Sequence, residues 1–262
     1  MTVGFIGAGN MARAMIAGLI DSGVVPGDVI ASARRAQSLE AVEKQFRIRT
    51  ALDNRAVARS SDVLFLAVKP YLYQEVIEEI RDDISPDTII VSMTLGKSLA
   101  DVEGYFGKPI KLVRIMPNMA AMVLESVTAY CPGDHITEQE NQRVIELLES
   151  FGRVYQVPEN LVDAVTGVAG SGPAYVFMMI EAMAQAGIKA GLSHSDAYDM
   201  AAQTVLGSAK TVIQSGLHPA VLRDQVCSPG GSTIEAVSVL EREGFKSSLM
   251  LAIEACIKKA KQ

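Results

Sequence analysis

Apolar and polar positions follow two different rhythms along this chain, and the rhythm changes near residue 160. Before that point, short apolar runs recur between stretches with helical spacing. The segments Thr2–Ile6, Asp28–Ala33, Val63–Val68, Thr88–Met93, Lys111–Ile115, Val127–Cys131 and Arg153–Val157 predict strands, with a further short one near Arg47–Thr50. Helices are predicted over Asn10–Gly23, Ala36–Phe46, Asn54–Arg59, Tyr71–Arg81, Leu99–Phe106 and Glu138–Phe151. Strands such as VLFLAV are apolar on both faces, which a parallel sheet covered by helices on each side requires. Alternation of this kind predicts an α/β, doubly wound, mostly parallel sheet.

From Leu161 onward the pattern contains no convincing strand. It predicts long small-residue helices over Pro173–Ala190, His194–Ser215, Pro219–Val226, Thr233–Glu243 and Lys246–Lys261. Pro173 and Pro219 suit first-turn positions, Gly191 and Gly216 suit C-terminal caps, and Ser193 with Asp196 resembles a capping box. Two domains are therefore expected, residues 1–160 and 161–262.

Composition sharpens this picture. The chain has 262 residues, 49% hydrophobic and only 5% aromatic, with no Trp but 12 Met and 21 Gly. Four aromatics fall after residue 160 (Tyr175, Phe177, Tyr198 and Phe245), so the helical half is expected to complete its core with a second copy of itself. The net charge of −6 argues against a nucleic-acid partner, which would call for a basic face. Cys131, Cys227 and Cys256 have no paired or metal-ligand spacing, and His135, His194 and His218 do not cluster with them. Reduced thiols in a cytoplasmic protein, and no metal, are the expectation. The apolar N-terminus has no basic leader and reads as strand and turn, not a signal peptide. The longest uncharged stretch, Ala164–Ile180, carries Gly167, Gly170, Gly172 and Pro173 and reads as a poor membrane span.

The candidate chemistry begins at Gly7-Ala8-Gly9-Asn10-Met11-Ala12, a GxGxxA turn between the first strand and the first helix. Gly7 permits a tight turn, Gly9 admits a pyrophosphate to the backbone, Ala12 lets helix and strand pack closely, and the helix start offers free N–H groups. At the end of the second strand an NAD site usually places a carboxylate for the ribose 2′-hydroxyl. This chain has Ala31, Ser32, Ala33, Arg34 and Arg35, so NADP(H) is preferred, with NAD(H) the open alternative. Lys69-Pro70 ends the strongest strand at the edge where such sheets bind ligands, and Asn54 reads equally as a helix N-cap.

In the helical half, glycine clusters at Gly167–Tyr175 and Ser228–Thr233 are expected to interrupt the helices. In the second cluster Gly230, Gly231, Ser232 and Thr233 can turn successive amides toward one point, a nest suited to a carboxylate.

Five motifs occur in order: GFIGAGNMA (4–12), LAVKP (66–70), RIMPN (114–118), TGVAGSGPAY (166–175) and VCSPGGSTIEAV (226–237). Together they resemble the pyrroline-5-carboxylate reductase family across essentially the whole chain, the SPGGST block being the most diagnostic. The resemblance implies reduction of L-1-pyrroline-5-carboxylate to L-proline by NAD(P)H, the final step of proline biosynthesis. It implies an N-terminal Rossmann-type domain followed by an all-α C-terminal dimerisation domain, hence a homodimer through the C-terminal helices and room for a higher homo-oligomer. By resemblance, Ile6, Gly7, Ala8, Gly9, Asn10 and Met11 would hold the pyrophosphate, Ala33 would lie beside the adenosine ribose, and Asn54 would contact cofactor; Arg34 joins the cofactor candidates on its charge alone. Ala67, Val68, Lys69 and Pro70 would line the nicotinamide side with Met93, Thr94 and Leu95, where smaller residues are common in the family. Ser228, Gly230, Gly231 and Ser232 would cradle the substrate carboxylate, and the catalytic Thr233 hydroxyl would reach the ring nitrogen.

An iminium substrate arrives electrophilic, so positioning and carboxylate neutralisation can carry the reaction without an essential His, Lys or Asp–His pair. Tyr175 reads as a packing residue before a proton relay. The nearest rival is a β-hydroxyacid dehydrogenase, whose GxxGxGxxxK motif places its catalytic Lys at Val176 here. Valine cannot serve as the base an alcohol oxidation needs. A non-catalytic dinucleotide sensor would explain Gly7 and Gly9 but not the separate glycine-serine nest.

Overall fold

A computed structural model describes residues 1–261. Its first part is one eight-stranded sheet: β1 (Val3–Ile6), β2 (Val29–Ser32), β3 (Arg49–Ala51), β4 (Val63–Leu66), β5 (Ile89–Ser92), β6 (Lys111–Met116), β7 (Ser126–Pro132) and β8 (Gly152–Gln156). The order is β3-β2-β1-β4-β5-β6-β7-β8, with every neighbouring pair parallel except β6 and β7. The chain crosses from β3 back past β1 to β4, so the β1–β4 boundary is the switch point where doubly wound sheets open a crevice at their carboxyl edge.

Period-two alternation sends successive strand residues to opposite faces. Phe5 and Phe65, opposite each other on β1 and β4, stack with ring centroids 4.7 Å apart on one face. That face carries α1 (Asn10–Asp21), α2 (Ala36–Phe46) and, later in the chain, α6 (Glu138–Glu149), whose Met15, Val42 and Leu148 join the same core. On the other face Ile6, Leu64, Leu66 and Ile90 pack with α3 (Asn54–Ser60), α4 (Tyr73–Ile80) and α5 (Leu99–Phe106). The runs β1, β2, β4 and β5 are buried at every position, the reason they read as continuously apolar.

Local chemistry trims the predicted elements. Arg47, in the left-handed region at φ 58°, ends α2, so β3 begins later than the sequence pattern suggests. Pro70 opens a 3-10 turn over Pro70–Leu72, and the predicted Tyr71–Arg81 helix becomes α4 from Tyr73. Asn118 caps another 3-10 turn, Met119–Val123, between β6 and β7.

The remaining helices are α7 (Val162–Val165), α8 (Gly172–Lys189), α9 (His194–Ser215), α10 (Pro219–Val226), α11 (Ser232–Arg242) and α12 (Phe245–Ala260). The first glycine cluster does not break the helix as expected. Thr166–Gly170 form a π turn closed by Ser171 N–H donating to the Thr166 carbonyl at 2.9 Å, and α8 follows at once. The helical run Glu159–Lys189 is in consequence long and apolar enough to cross a membrane by length and composition, which the glycines had argued against. Gly191 and Gly216 take positive φ after α8 and α9 as their positions predicted. The Ser193 hydroxyl accepts from the Asp196 amide, one half of the expected capping box.

Two compact units emerge: Met1–Ser171 with the terminal turn from Ile257, and Gly172–Cys256. The division by contacts thus falls eleven residues beyond residue 160. Within the second unit the buried apolar cluster is only Ala184, Ala197 and Ala201, flanked by Ile180 and Ile188. Phe177 and Met178 on α8 are 53% and 69% exposed. A helical unit with so small a core leaves its apolar faces uncovered within one chain.

Candidate functional site

The turn after β1 contains two glycines with different reasons to be glycine. Gly7 has φ +106°, and a Cβ there would stand 2.4 Å from the Ala67 carbonyl oxygen, so the protein itself requires it. Gly9 has an ordinary φ of −74°, and a Cβ there would meet no protein atom within 4 Å. Neither strain nor packing calls for Gly9. The open space beside this N-cap admits close approach from outside, which fits a pyrophosphate.

Gly7 N–H donates to the Ser32 carbonyl at 3.0 Å and Ala67 N–H to the Ile6 carbonyl at 2.8 Å, tying the ends of β1, β2 and β4 together. Ile6 is buried and aims the turn, whereas Ala8 and Met11 are half-buried and Gly9 and Asn10 exposed. The α1 N-terminus has no side-chain cap and no acidic residue in its first turn. Its leading amides and positive dipole end therefore remain for an anion.

At the end of β2, Ala33 is half-buried and Arg34 and Arg35 are exposed. Neither guanidinium forms a hydrogen bond or ion pair among the described residues. Asn54 is not the cap of α3: Asp53 is, accepting from the Arg55 amide at 3.0 Å. Asn54 is free for another task, and its carbonyl oxygen accepts from the buried Ser32 hydroxyl at 2.7 Å while its Nδ2 donates to Glu79 at 2.8 Å.

Beyond β4, Ala67 and Val68 are half-buried and Lys69 and Pro70 exposed. Beyond β5, Met93 is half-buried, Thr94 buried and Leu95 exposed. Both stretches lie at the carboxyl edge, and one side chain pins them. The Tyr73 hydroxyl donates to the Leu66 carbonyl at 2.7 Å and accepts from the Met93 amide at 3.0 Å. Burial pushes the Tyr73 phenol up to about 12, so it stays a neutral donor at any physiological pH. Sequence reading missed Tyr73. A tyrosine in the first turn of a predicted helix carries no signal that its hydroxyl will reach two strand ends.

Asn118 and Arg114 of the RIMPN segment support the same unit. Asn118 Nδ2 donates to the Ala169 carbonyl inside the π turn at 3.0 Å, and its oxygen caps the Ala120 amide at 3.2 Å. Buried Arg114 pairs with Glu159 at 3.0 Å and approaches Asp163 at 3.7 Å. A single arginine inside the apolar strand KLVRIM was the readable sign of that buried pair.

In the second unit, the Ser228–Thr233 loop joins α10 to α11. Gly230 takes φ +69°, and a Cβ on Gly231 would stand 2.4 Å from the Ser228 hydroxyl oxygen. The nest is smaller than the sequence suggested. Gly231 N–H donates to the Ser228 carbonyl at 3.0 Å and closes the turn, so it does not join its neighbours in facing outward. The start of α11 has no side-chain cap, which leaves the Ser232 and Thr233 amides for an anion. Hydroxyls within helices commonly bond back to the preceding turn, as Thr204, Ser208, Thr211 and Ser238 do at 2.7–2.9 Å. Half-buried Thr233 sits too early in α11 for that, and its hydroxyl has no partner among the described residues.

A family model described as pyrroline-5-carboxylate reductase dimerisation matches residues 159–262, and one described as NADP oxidoreductase, coenzyme F420-dependent, matches residues 2–96. The pyrroline-5-carboxylate reductase of Escherichia coli (strain K12) is 40% identical over 261 residues, 99% of this chain and 97% of the relative. A solved pyrroline-5-carboxylate reductase from Coxiella burnetii aligns with a TM-score of 0.93 at 32% identity, over 99% of this chain and 97% of its own. The Plasmodium falciparum pyrroline carboxylate reductase, solved with NADP bound, aligns with a TM-score of 0.89 at 28% identity, over 100% of this chain and 97% of its own.

Proposed function

Since the chain belongs to the pyrroline-5-carboxylate reductase family, we propose that residues 1–160 hold its dinucleotide and residues 161–262 its substrate carboxylate and the contact with a second subunit. The protein is an oxidoreductase that reduces L-1-pyrroline-5-carboxylate to L-proline with NAD(P)H, the final step of proline biosynthesis. The observation that carries this reading is the contrast between Gly7, which the fold needs, and Gly9, which neither strain nor packing requires and which leaves the α1 N-terminus open to a ligand. Bound NAD(P)H supplies the hydride that converts the C=N carbon to a CH–NH centre.

The chain's own residues orient and neutralise. The leading amides of α1 receive the pyrophosphate at the Gly7–Met11 turn, while Ala33 and Arg34 flank the adenosine ribose and Asn54 donates to it. Ala67, Val68, Lys69, Pro70, Met93 and Thr94 form the nicotinamide wall that Tyr73 holds in place. Ser228, Gly230, Gly231 and Ser232 shape the turn for the carboxylate, and the unspent Thr233 hydroxyl hydrogen-bonds the ring nitrogen as the amine develops. Thr233 holds a proton in place there; its hydroxyl is no acid at neutral pH.

Purified protein should oxidise NADPH only when pyrroline-5-carboxylate is added. Well-folded protein without substrate-dependent turnover would exclude the reaction. NADP(H) is the preferred cofactor because the Arg34 and Arg35 guanidiniums, at the end of β2, have no partner among the described residues. Replacing both with alanine is expected to weaken NADPH binding about tenfold while NADH changes less than threefold, the size of a lost charge-assisted pair. Equal losses for both dinucleotides would take these arginines out of 2′-phosphate recognition.

The homodimer is supported by exposed Phe177, Met178 and Met200 on α8 and α9, in a unit that buries little of its own apolar surface. The apolar run Glu159–Lys189 includes Phe177 and Met178, and a second copy is the cover we assign to it instead of lipid. Cys131, Cys227 and Cys256 as reduced thiols agree with placement in the cytoplasm.

A further inference from the structure

The sequence shows no carboxylate at the end of β2, yet tertiary packing brings one there from another element. Glu79, on α4, accepts from Asn54 Nδ2 at 2.8 Å, and Asn54 in turn accepts from Ser32, the last residue of β2, at 2.7 Å. Glu79 is half-buried and has no cationic partner among the described residues. We propose that Glu79 is a specificity-determining residue, whose carboxylate behind Asn54 opposes the 2′-phosphate of NADPH and so keeps NADH competitive.

This inference rests on the proposed placement of the dinucleotide ribose beside Asn54. The geometry of the amide then does the rest. Ser32 fixes the Asn54 oxygen and Glu79 takes one Nδ2 hydrogen, so a single N–H remains to donate. The two hydrogens on an amide nitrogen diverge by about 120°, so an acceptor on the second lies roughly 5 Å from the Glu79 oxygen. A ribose hydroxyl at that distance is indifferent to the charge. A phosphate dianion is not, because repulsion over a few ångströms at a partly exposed site remains appreciable. Glu79 therefore works against Arg34 and Arg35, and the ratio of NADPH to NADH affinity reflects both signs of charge.

Glu79→Gln separates charge from geometry, since the glutamine oxygen can still accept from Asn54. In titrations of each dinucleotide against full-length protein without substrate, read by reduced-nicotinamide fluorescence, the ratio of NADH Kd to NADPH Kd should rise about three- to tenfold, through tighter NADPH. The rise should shrink in about 1 M salt, where screening acts within ~3 Å, a response that a purely structural role would not give. If the glutamine variant folds poorly, Glu79→Ala is read in the same way and should also raise the ratio. An unchanged ratio, or parallel movement of both Kd values, overturns the role of Glu79. Asn54→Ala distinguishes the underlying reading: if it leaves both Kd values unchanged, the ribose does not sit at Asn54, and the site placement falls along with this inference.

Discussion

Gly7→Ala is expected to lower the melting temperature by about 6–12 °C and to abolish measurable dinucleotide binding. A side chain at φ +106° is strained by itself, and the added Cβ would press to 2.4 Å on the Ala67 carbonyl oxygen, a rigid backbone atom at the end of β4. Relief requires the turn to move away from β4, which also disturbs the Gly7 N–H bond to Ser32. Strain of roughly 3 kcal/mol corresponds to that shift in melting temperature for a unit of this size. Gly9→Ala is the contrasting variant. Its Cβ meets nothing within 4 Å and its φ is ordinary, so the fold should melt within about 1–2 °C of the wild type while dinucleotide affinity falls. Thermal melts and dinucleotide titrations on the two variants check the pair. A Gly9→Ala protein that binds as tightly as the wild type would remove the pyrophosphate from this turn.

The second large effect is expected at Thr233. Thr233→Ala should depress kcat about 100-fold, the scale of one donor or acceptor lost from a developing charge. Its hydroxyl has no partner among the described residues and lies in the first turn of α11, so its removal costs the fold little and improves helix propensity slightly. Dinucleotide Kd should stay within about twofold, because the proposed partner of the Thr233 hydroxyl is the substrate nitrogen and not the dinucleotide. Thr233→Ser retains the hydroxyl and should recover most of the rate. Steady-state kinetics with pyrroline-5-carboxylate read all three outcomes, and unchanged turnover in the alanine variant would exclude Thr233 from the mechanism.

The glycines and hydroxyls behind these predictions were legible because their signals are local. A GxGxxA turn between an apolar run and an amphipathic helix places backbone amides wherever the sheet goes, and a SPGGST loop before a helix does the same. The contacts that hold them were not legible. Tyr73 reaches the ends of β4 and β5, Asn54 is gripped by residues 22 and 25 positions away, and Asn118 bonds a carbonyl 51 positions later. No spacing rule predicts such partners, since each depends on which elements the sheet order makes adjacent.

The π turn at Thr166–Gly170 marks the same limit from the other side. Glycine and serine are weak helix formers, so the cluster read as a break; an i→i+5 bond and the Asn118 contact instead carry the helix through.

By itself the sequence determined the alternating α/β half, the helical half, the family and the two glycine loops, because apolar period and turn chemistry are properties of neighbouring residues. Only the tertiary structure decided which side chains aim those loops and that a carboxylate from α4 stands behind Asn54 at the end of β2. Hydrogen bonds across the sheet order bring distant residues within 3 Å of each other, and that proximity is a property of the packed chain.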